Sequence, residues 1–416
     1  MLVVMKMAWR NVWRNHRRSG LTIAAMALAL AVELLYSGLV TGIVAGMEDD
    51  AVEMDLGDVQ IVAPGYLTRP SLHDVVPNHA AIIERLEATG HRAAPRLFGG
   101  GLAGAGEASS GVQLVGVDPV GDAEVLALAT AVGDGAWLDA DDPRGVVIGR
   151  GLGRTLDVGL GDELVVLSQA ADGSMANDLF NVRGVLLSVA AGMDRGAILM
   201  PEATFRELMV LPEGAHRIIV RRPEGTSLVE SRAAVRTAAG LPAEPSPDTP
   251  PGLDVKTWVE LNPMLAQYLQ SVEGVVAVMY FIIYVAVGIL ILNAMLMAVF
   301  ERIREFGVLK AIGYGPVQVM AMMLIEGFVQ AGVATVIGTA LAAPGMWYLS
   351  VHGIDVGVLG GVQMAGLTMP AIWHGVYRLE TAIVPVIMLF FIVFGAVIYP
   401  ALKAAWVRPV EAMHHQ

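Results

Sequence analysis

The sequence predicts an α-helical membrane protein with four transmembrane helices plus a large α+β extracytoplasmic domain between helices 1 and 2. Three observations predict it. The 416 residues are 55% hydrophobic and only 16% charged, with a mean hydropathy of +0.59, too apolar for an ordinary soluble protein and too charged to lie wholly in lipid. Four apolar runs reach the ~20 residues needed to cross ~30 Å of hydrocarbon. Between Glu48 and Glu273 the chain holds 33 acidic against 16 basic residues, so its net charge of −13 comes from a single block.

The elements follow in order. Residues 1–20 contain "MKMAWRNVWRNHRRSG", in which Trp9, Val12 and Trp13 alternate at helical spacing with Arg10, Arg14, Arg17 and Arg18. Such a segment suits an amphipathic helix in the cytoplasmic membrane interface, with indoles at headgroup depth and basic groups on anionic lipid. Residues 21–44 form the first span. Its apolar run exceeds that of a signal peptide and no A-x-A site follows, so it reads as retained. Residues 45–274 form the outer domain. The second span covers 275–300, a charged segment and turn 301–316, the third span 317–349, a short outer loop 350–381, the fourth span 382–401 and a tail 402–416.

Basic residues set the orientation, because Lys and Arg favour the cytoplasmic side while Asp and Glu weigh little. Lys6, Arg10, Arg14, Arg17 and Arg18 precede the first span without any acid. Four spans return the C-terminus to the same side, where 301–316 carries Arg302, Arg304 and Lys310 and the tail carries Lys403 and Arg408. The loop 350–381 holds only Arg378. The acidic block therefore falls outside.

Within that block, "DVQIVA", "GVQLVGV", "GVVIG", "DELVVLS", "FNVRGVLLS" and "HRIIVRRP" read as short strands between Gly, Asp and Pro turns. Helices are expected at His79–Ala88, Glu202–Met209 and Leu228–Ala239. Gly-rich "LFGGGLAGAG", Leu97–Gly106, reads as a flexible exposed loop. "LPAEPSPDTPPG", residues 241–252, reads as a Pro-rich linker. Trp258, Leu261, Leu265, Tyr268, Leu269 and Val272 then keep a 3.6-residue period, so a stalk helix over 255–274 is expected to lead into the second span.

The sequence excludes several chemistries. Without cysteine there is no disulfide, thiolate metal site or Cys nucleophile. None of Lys6, Lys256, Lys310 and Lys403 sits in a Walker A loop, so these residues do not hydrolyse ATP themselves. The nine histidines form no H-E-x-x-H, and His414 and His415 lie at the very end. No catalytic residue, metal ligand set or nucleic-acid partner is expected.

The segment "VFERIREFGVLKAIGYGP", Val299–Pro316, stands out between two apolar runs. Glu301 with Arg304 and Arg302 with Glu305 are i,i+3 pairs that let a helix continue into water. Ile303, Phe306 and Leu309 give it an apolar surface, and Gly313, Gly315 and Pro316 end it and turn the chain back. A short exposed helix of this kind suits another protein's groove.

"REFGVLKAIGYGPVQVMAMMLIEG" resembles the Arg-Glu-x-Gly-x-Leu-(Arg/Lys)-Ala-Ile-Gly segment of the four-helix ABC permeases that include the lipoprotein-releasing LolC/LolE proteins, MacB-type exporters and FtsX. "WRNVWRNHRRSGLT" resembles their N-terminal Arg-Asn-x-x-Arg-Asn element, "PALKAAWVRPVEAMHHQ" their closing sequence, and "VVIGRGLGRTLDVGLGDELVVLS" a segment of their extracytoplasmic domains. "TWVELNPMLAQYL" is similar to the stalk of the lipoprotein-releasing branch. The resemblance implies a mechanotransmission permease in the bacterial inner membrane, a homo- or heterodimer working with two ABC ATPase subunits, with no cofactor of its own and with ATP and Mg on those partners. Arg304, Glu305, Phe306, Gly307, Leu309, Lys310 and Gly313 would form the coupling element. Release of a lipoprotein or other amphipathic substrate to a periplasmic carrier is the implied role. MacB-like efflux through a periplasmic adaptor and FtsX-like signalling to a cell-wall hydrolase are the alternatives. The missing fused ATPase departs from MacB-type chains, and the size of the outer domain departs from FtsX.

Two acids fall inside spans, where an ionised carboxylate is costly unless paired, hydrated or protonated. Glu33 is either a polar spot in a substrate cavity or a protonated carboxyl satisfied by a neighbouring helix through Asn293. Glu326, in a Glu-Gly pair that resembles the family's, is expected to bond the coupling turn. Gly332, Gly338, Ala342 and Ala343 are expected to allow close helix packing.

Overall fold

A computed structural model describes residues 10, 13–14, 16–187, 191–244, 252–356, 363–364, 367–368 and 372–406. Most of the linker 241–252, the tail from 407 and most of the N-terminal segment before His16, Trp9 and Val12 included, lie outside the described residues. The chain divides into two units, one of residues 46–268 and 357–371, the other of residues 1–45, 269–356 and 372–416.

The first unit is built on a ten-stranded sheet. In chain order the strands are β1 (Val59–Val62), β2 (Arg92–Ala105), β3 (Ala108–Val117), β4 (Val132–Gly135), β5 (Gly145–Ile148), β6 (Glu163–Gln169), β7 (Met175–Leu186), β8 (Ala197–Pro201), β9 (Arg217–Arg221) and β10 (Asp254–Thr257). They lie in the order β10-β1-β9-β2-β3-β8-β5-β7-β4, with β6 pairing β2 and β7. β3 runs parallel to β8 and β5 to β7, and the other pairs are antiparallel. β1, β5 and β8 are buried along their whole length; "GVVI" and "AILMP" are accordingly unbroken apolar runs, and in "VQIV" the buried Gln60 donates through Nε2 to Leu56 O at 2.8 Å.

Helices His79–Glu87 and Leu228–Ala238 close one core against β1, β9 and β10, and Glu202–Met209 closes another with Phe205 fully buried against β2 and β3. Leu228–Ala238 starts on a capping box, in which Ser227 and Glu230 satisfy each other's backbone donors. Arg96 is fully buried, with Nε and Nη2 on the two oxygens of Asp122 at 2.8 and 2.9 Å. A charge there is tolerated only because both partners are bidentate and paired.

Each of the six runs read as strands overlaps a strand, "GVQLVGV" lying wholly within β3 and the others overrunning their strands by one to three residues, with Ser188 outside the described residues. The Gly-rich stretch does not remain a loop: Leu97–Ala105 completes the fourteen-residue β2 and pairs with β3 down to Ala105↔Ala108. Glycine lowers strand propensity, but here its small size is required, since a Cβ on Gly116 of β3 would come within 2.6 Å of Phe205 and one on Gly101 within 2.8 Å of the Leu167 carbonyl. The stalk expected over 255–274 also begins differently. Asp254–Thr257 is the edge strand β10, Trp258–Leu261 is a single turn, and a new helix starts at Pro263, capped by Asn262, whose Oδ1 accepts from Leu265 N at 3.1 Å.

The described residues include four helices long and apolar enough to cross a membrane, which supply most of the second unit: His16–Leu56 including its π-helical last turn, Pro263–Glu301, Pro316–Val351 and Leu379–Trp406. Their shared core runs from Met26, Leu30 and Leu34 through Tyr284, Ile291 and Met295 to Met322, Ala334, Val393 and Val397. Helix approach is closest at Gly338, where a Cβ would meet the Ala27 carbonyl at 2.7 Å, and Gly327 faces Val397 and Val393 of the fourth helix. Ala342 is buried in the same seam, whereas Gly332 meets nothing and Ala343 is exposed.

Candidate functional site

The segment between the second and third apolar helices has two joints. At the first, the long helix ends at Glu301, and Arg302 leaves helical geometry (φ −108°, ψ 14°) before a new helix Ile303–Ala311 begins. The i,i+3 pairing expected from the sequence is half realised: Arg302 Nε donates to Glu305 at 2.9 Å, while Glu301 pairs with Arg18. At the second joint Gly313 takes φ +106°, its N–H bonds Lys310 O at 3.0 Å and Tyr314 N bonds Leu309 O at 3.0 Å. This Schellman ending needs the left-handed residue that glycine supplies. Pro316 then opens the third helix, and the Gln318 side chain accepts from Gly315 N at 2.9 Å.

Charge fixes the first joint to its surroundings. Arg302 Nη1 donates to Glu326 of the third helix at 3.1 Å, Arg14 pairs with Glu305, and Arg18 pairs with Glu301. These groups line a cavity of about 270 Å³ with Ser19, Thr22 and Gln330. Burial works against the Glu305 carboxylate, but the hydrogen bonds and charges of Arg302 and Arg14 outweigh it together and hold its pKa below the usual range. The Arg302 guanidinium also lies 5.4 Å from the centre of the Phe306 ring. Lys310 donates to the Ala405 carbonyl near the end of the fourth helix, a favourable place for a cation, and burial lowers its pKa.

The faces of the short helix differ from the sequence expectation. Phe306 is fully buried in the helix core, Gly307 is buried, and Leu309 packs against that core. Arg304 is exposed, as are Val308 at 50% and Ile312 at 74%. The periodicity was compatible with either face being covered, since a helix between two spans can be folded back on them. Glu326 is 5% exposed and accepts from Arg302 at the first joint, one helix away from the Gly313 turn. Glu33 is fully buried and neither of its oxygens has a hydrogen-bond partner among the described residues, so Asn293, which is exposed, does not satisfy it.

Arg14, Arg18 and Arg302 carry the network but were not singled out as site residues. Their signal was present as Arg10, Arg14 and Arg18, one helical turn apart, ahead of a span whose partner segment holds Glu301 and Glu305.

Comparison with known proteins gives two family matches. Residues 19–238 match the MacB-like periplasmic core domain, and residues 277–409 match the FtsX-like permease C-terminal domain. The macrolide export ATP-binding/permease protein MacB of Chlorobium luteolum is 32% identical over 132 residues, 30% of this chain and 16% of that protein, so the chain spans about a sixth of its length. Among solved structures, the extracellular domain of the noncanonic ABC-type transporter YknZ from Gram-positive bacteria gives a TM-score of 0.33 at 14% identity, covering 48% of this chain and 99% of that one. The periplasmic region of MacB from Actinobacillus actinomycetemcomitans gives 0.37 at 12%, covering 54% and 95%.

Proposed function

Because the chain belongs to the MacB- and FtsX-like family of ABC transporter permeases, we propose that the helix Ile303–Ala311 and its Gly313 turn are the element through which ATPase subunits drive it. The permease is then non-catalytic, ATP and Mg reside on partner ATPases in the cytoplasm, and two permease chains assemble with two ATPases in the inner membrane. One observation carries this reading: a short helix, bounded by two backbone breaks and tied by Arg302 to both Glu305 and Glu326, presents Arg304, Val308 and Ile312 outward. A rigid charged knob with an apolar tip is what a partner groove can push. The coupling residues on this reading are Arg304, Glu305, Leu309, Lys310 and Gly313, with Phe306 and Gly307 acting from inside as its packing.

The cargo is an amphipathic molecule taken up on the periplasmic side and passed to an adaptor or conduit. The match to a MacB-like periplasmic core favours this export role. Lipoprotein release is the second reading, supported by the resemblance of "TWVELNPMLAQYL" to the stalk of that branch. Reconstitution of the permease and its ATPase in spheroplasts separates them. ATP-dependent protection against a macrolide supports export, ATP-dependent release of a labelled lipoprotein supports the second reading, and neither activity with a docked, hydrolysing ATPase removes the transport role.

A further inference from the structure

The outer domain contains a cavity of about 320 Å³ where β2 changes partners. β9 covers β2 from Arg92 to Arg96 and β6 covers it from Gly101 to Gly104, so residues 97–100 have no strand along that edge. Side chains complete part of the gap: Phe98 N donates to His216 Nδ1 at 2.9 Å, and Ser168 Oγ donates to the Gly100 carbonyl at 2.7 Å. His216 Nε2 in turn donates to the Leu72 carbonyl at 3.0 Å, which fixes the ring and the loop beside the cavity.

Arg217, at the start of β9, lines this cavity. Its guanidinium lies 4.5 Å from the centre of the Phe98 ring and 5.8 Å from that of Tyr66. Its Nη1 donates to Gln60 Oε1 over a long 3.4 Å, the Tyr66 hydroxyl also interacts with the guanidinium, and Nε has no hydrogen-bond partner among the described residues. No carboxylate of the described residues comes within the 4.0 Å of an ion pair. In the same domain the partly buried Arg183, Arg206, Arg221 and Arg232 each hold one. A guanidinium held between aromatic rings and left without an anion is oriented to bind one, since its planar fork matches a carboxylate or phosphate. The rest of the wall is mixed: Leu72, Phe98, Val112 and Met209 supply an apolar part, and Ser71, Gln113 and Gln169 a polar one. A volume near the lower end of the ~300–1,000 Å³ typical of small-molecule sites suits a small ligand or the head of a larger one.

We propose that this cavity is a binding site for an amphiphilic anion, whose carboxylate or phosphate pairs with Arg217 while its apolar body lies against Phe98, Leu72 and Met209. The site is independent of how the ATPase docks, because binding is measured on the permease alone. The full chain in lipid nanodiscs is titrated with 4-phenylbutyrate, phenyl phosphate, uncharged 4-phenylbutanol and inorganic phosphate by calorimetry. The two organic anions bind saturably, and the alcohol and free phosphate bind at least tenfold more weakly. Arg217→Gln weakens the organic anions at least tenfold and leaves the alcohol unchanged. Gly100→Leu provides an independent arm: Gly100 lines the cavity and a Cβ there meets nothing within 4 Å, so the strand tolerates it while the larger side chain excludes the ligand. Thermal unfolding identifies any misfolded variant, and if Arg217→Gln misfolds, Gly100→Leu decides. No saturable binding to the wild type, binding unchanged by these substitutions in folded protein, or equal binding of the alcohol overturns the site; equal binding of free phosphate overturns its amphiphilic character.

Discussion

Arg302→Met perturbs the joint at its centre. In the wild type Arg302 bridges Glu305 at 2.9 Å and Glu326 at 3.1 Å. The two bonds are unequal in weight. The Glu305 side chain is 43% exposed, so that pair contributes only ~0–1 kcal/mol. The Glu326 side chain is 7% exposed, and removing one partner of a buried pair costs ~3–5 kcal/mol, because the other is left without compensation. Methionine keeps much of the packing on Phe306, so the loss is mainly electrostatic and amounts to ~4 kcal/mol, about a thousandfold in the local opening equilibrium. Hydrogen exchange of the amides in 303–311, measured on the full chain in nanodiscs, reads that equilibrium. Protection in this helix should fall by at least a hundredfold, while β5 and β8 of the outer domain keep theirs. Adding Glu326→Gln should recover most of the loss, since it removes the unpaired carboxylate. Unchanged protection in Arg302→Met, or a double variant worse than the single, refutes the placement of the energy in the Arg302–Glu326 pair.

Four further outcomes follow. Ile312→Asp, at a position 74% exposed, should lower ATPase co-purification at least fivefold without moving the unfolding transition. Leu309→Asp should lower both, because Leu309 packs on the helix core. The outer domain should lose stability in acid: burial lowers the pKa of His216, His91 and His79 below the ordinary 6.5, so the unfolded chain binds more protons and stability falls as pH drops from 6.5 through their depressed folded values. An unfolding transition unchanged between pH 7.5 and pH 5 contradicts this. Asp122→Asn leaves the fully buried Arg96 without its carboxylate and should cost ~3–5 kcal/mol in outer-domain stability by denaturant titration; a cost below ~1 kcal/mol means Asp55, 3.4 Å away, takes over.

Length and hydropathy sufficed to read four apolar helices, and the β-branched runs between turn residues were enough to find β1, β3, β5, β6, β7 and β9. What local patterns could not reveal was tertiary pairing. "LFGGGLAGAG" has the composition of a loop and becomes a strand because β3 pairs with it and bulky neighbours such as Phe205 demand small residues. β10 hid at the start of the stalk expected over 255–274, ahead of the helical periodicity that begins at Trp258, since four residues at a sheet edge leave little pattern. In residues 301–316 the turn at Gly313 was legible from its glycines, whereas the inward face of Phe306 was not, because one apolar stripe serves a partner or its own bundle equally well. The pairing of Arg14 and Arg18 with Glu305 and Glu301 joins residues nearly 300 positions apart in sequence, beyond any local reading. Glu33 stood out as an acid in an apolar run, but its burial beside Tyr284 without a well-formed hydrogen bond follows only from how the helices pack.

The claim that ATPase motion enters through residues 303–313 is tested most directly by photo-cross-linking. A benzophenone amino acid replaces Ile312 in one chain and Leu379, 78% exposed at the start of the fourth helix, in another, and each is irradiated with its co-expressed ATPase. The account predicts a permease–ATPase adduct from position 312 whose yield changes when ATP is trapped, and none from position 379. No adduct at 312, or equal adducts at both positions, contradicts it.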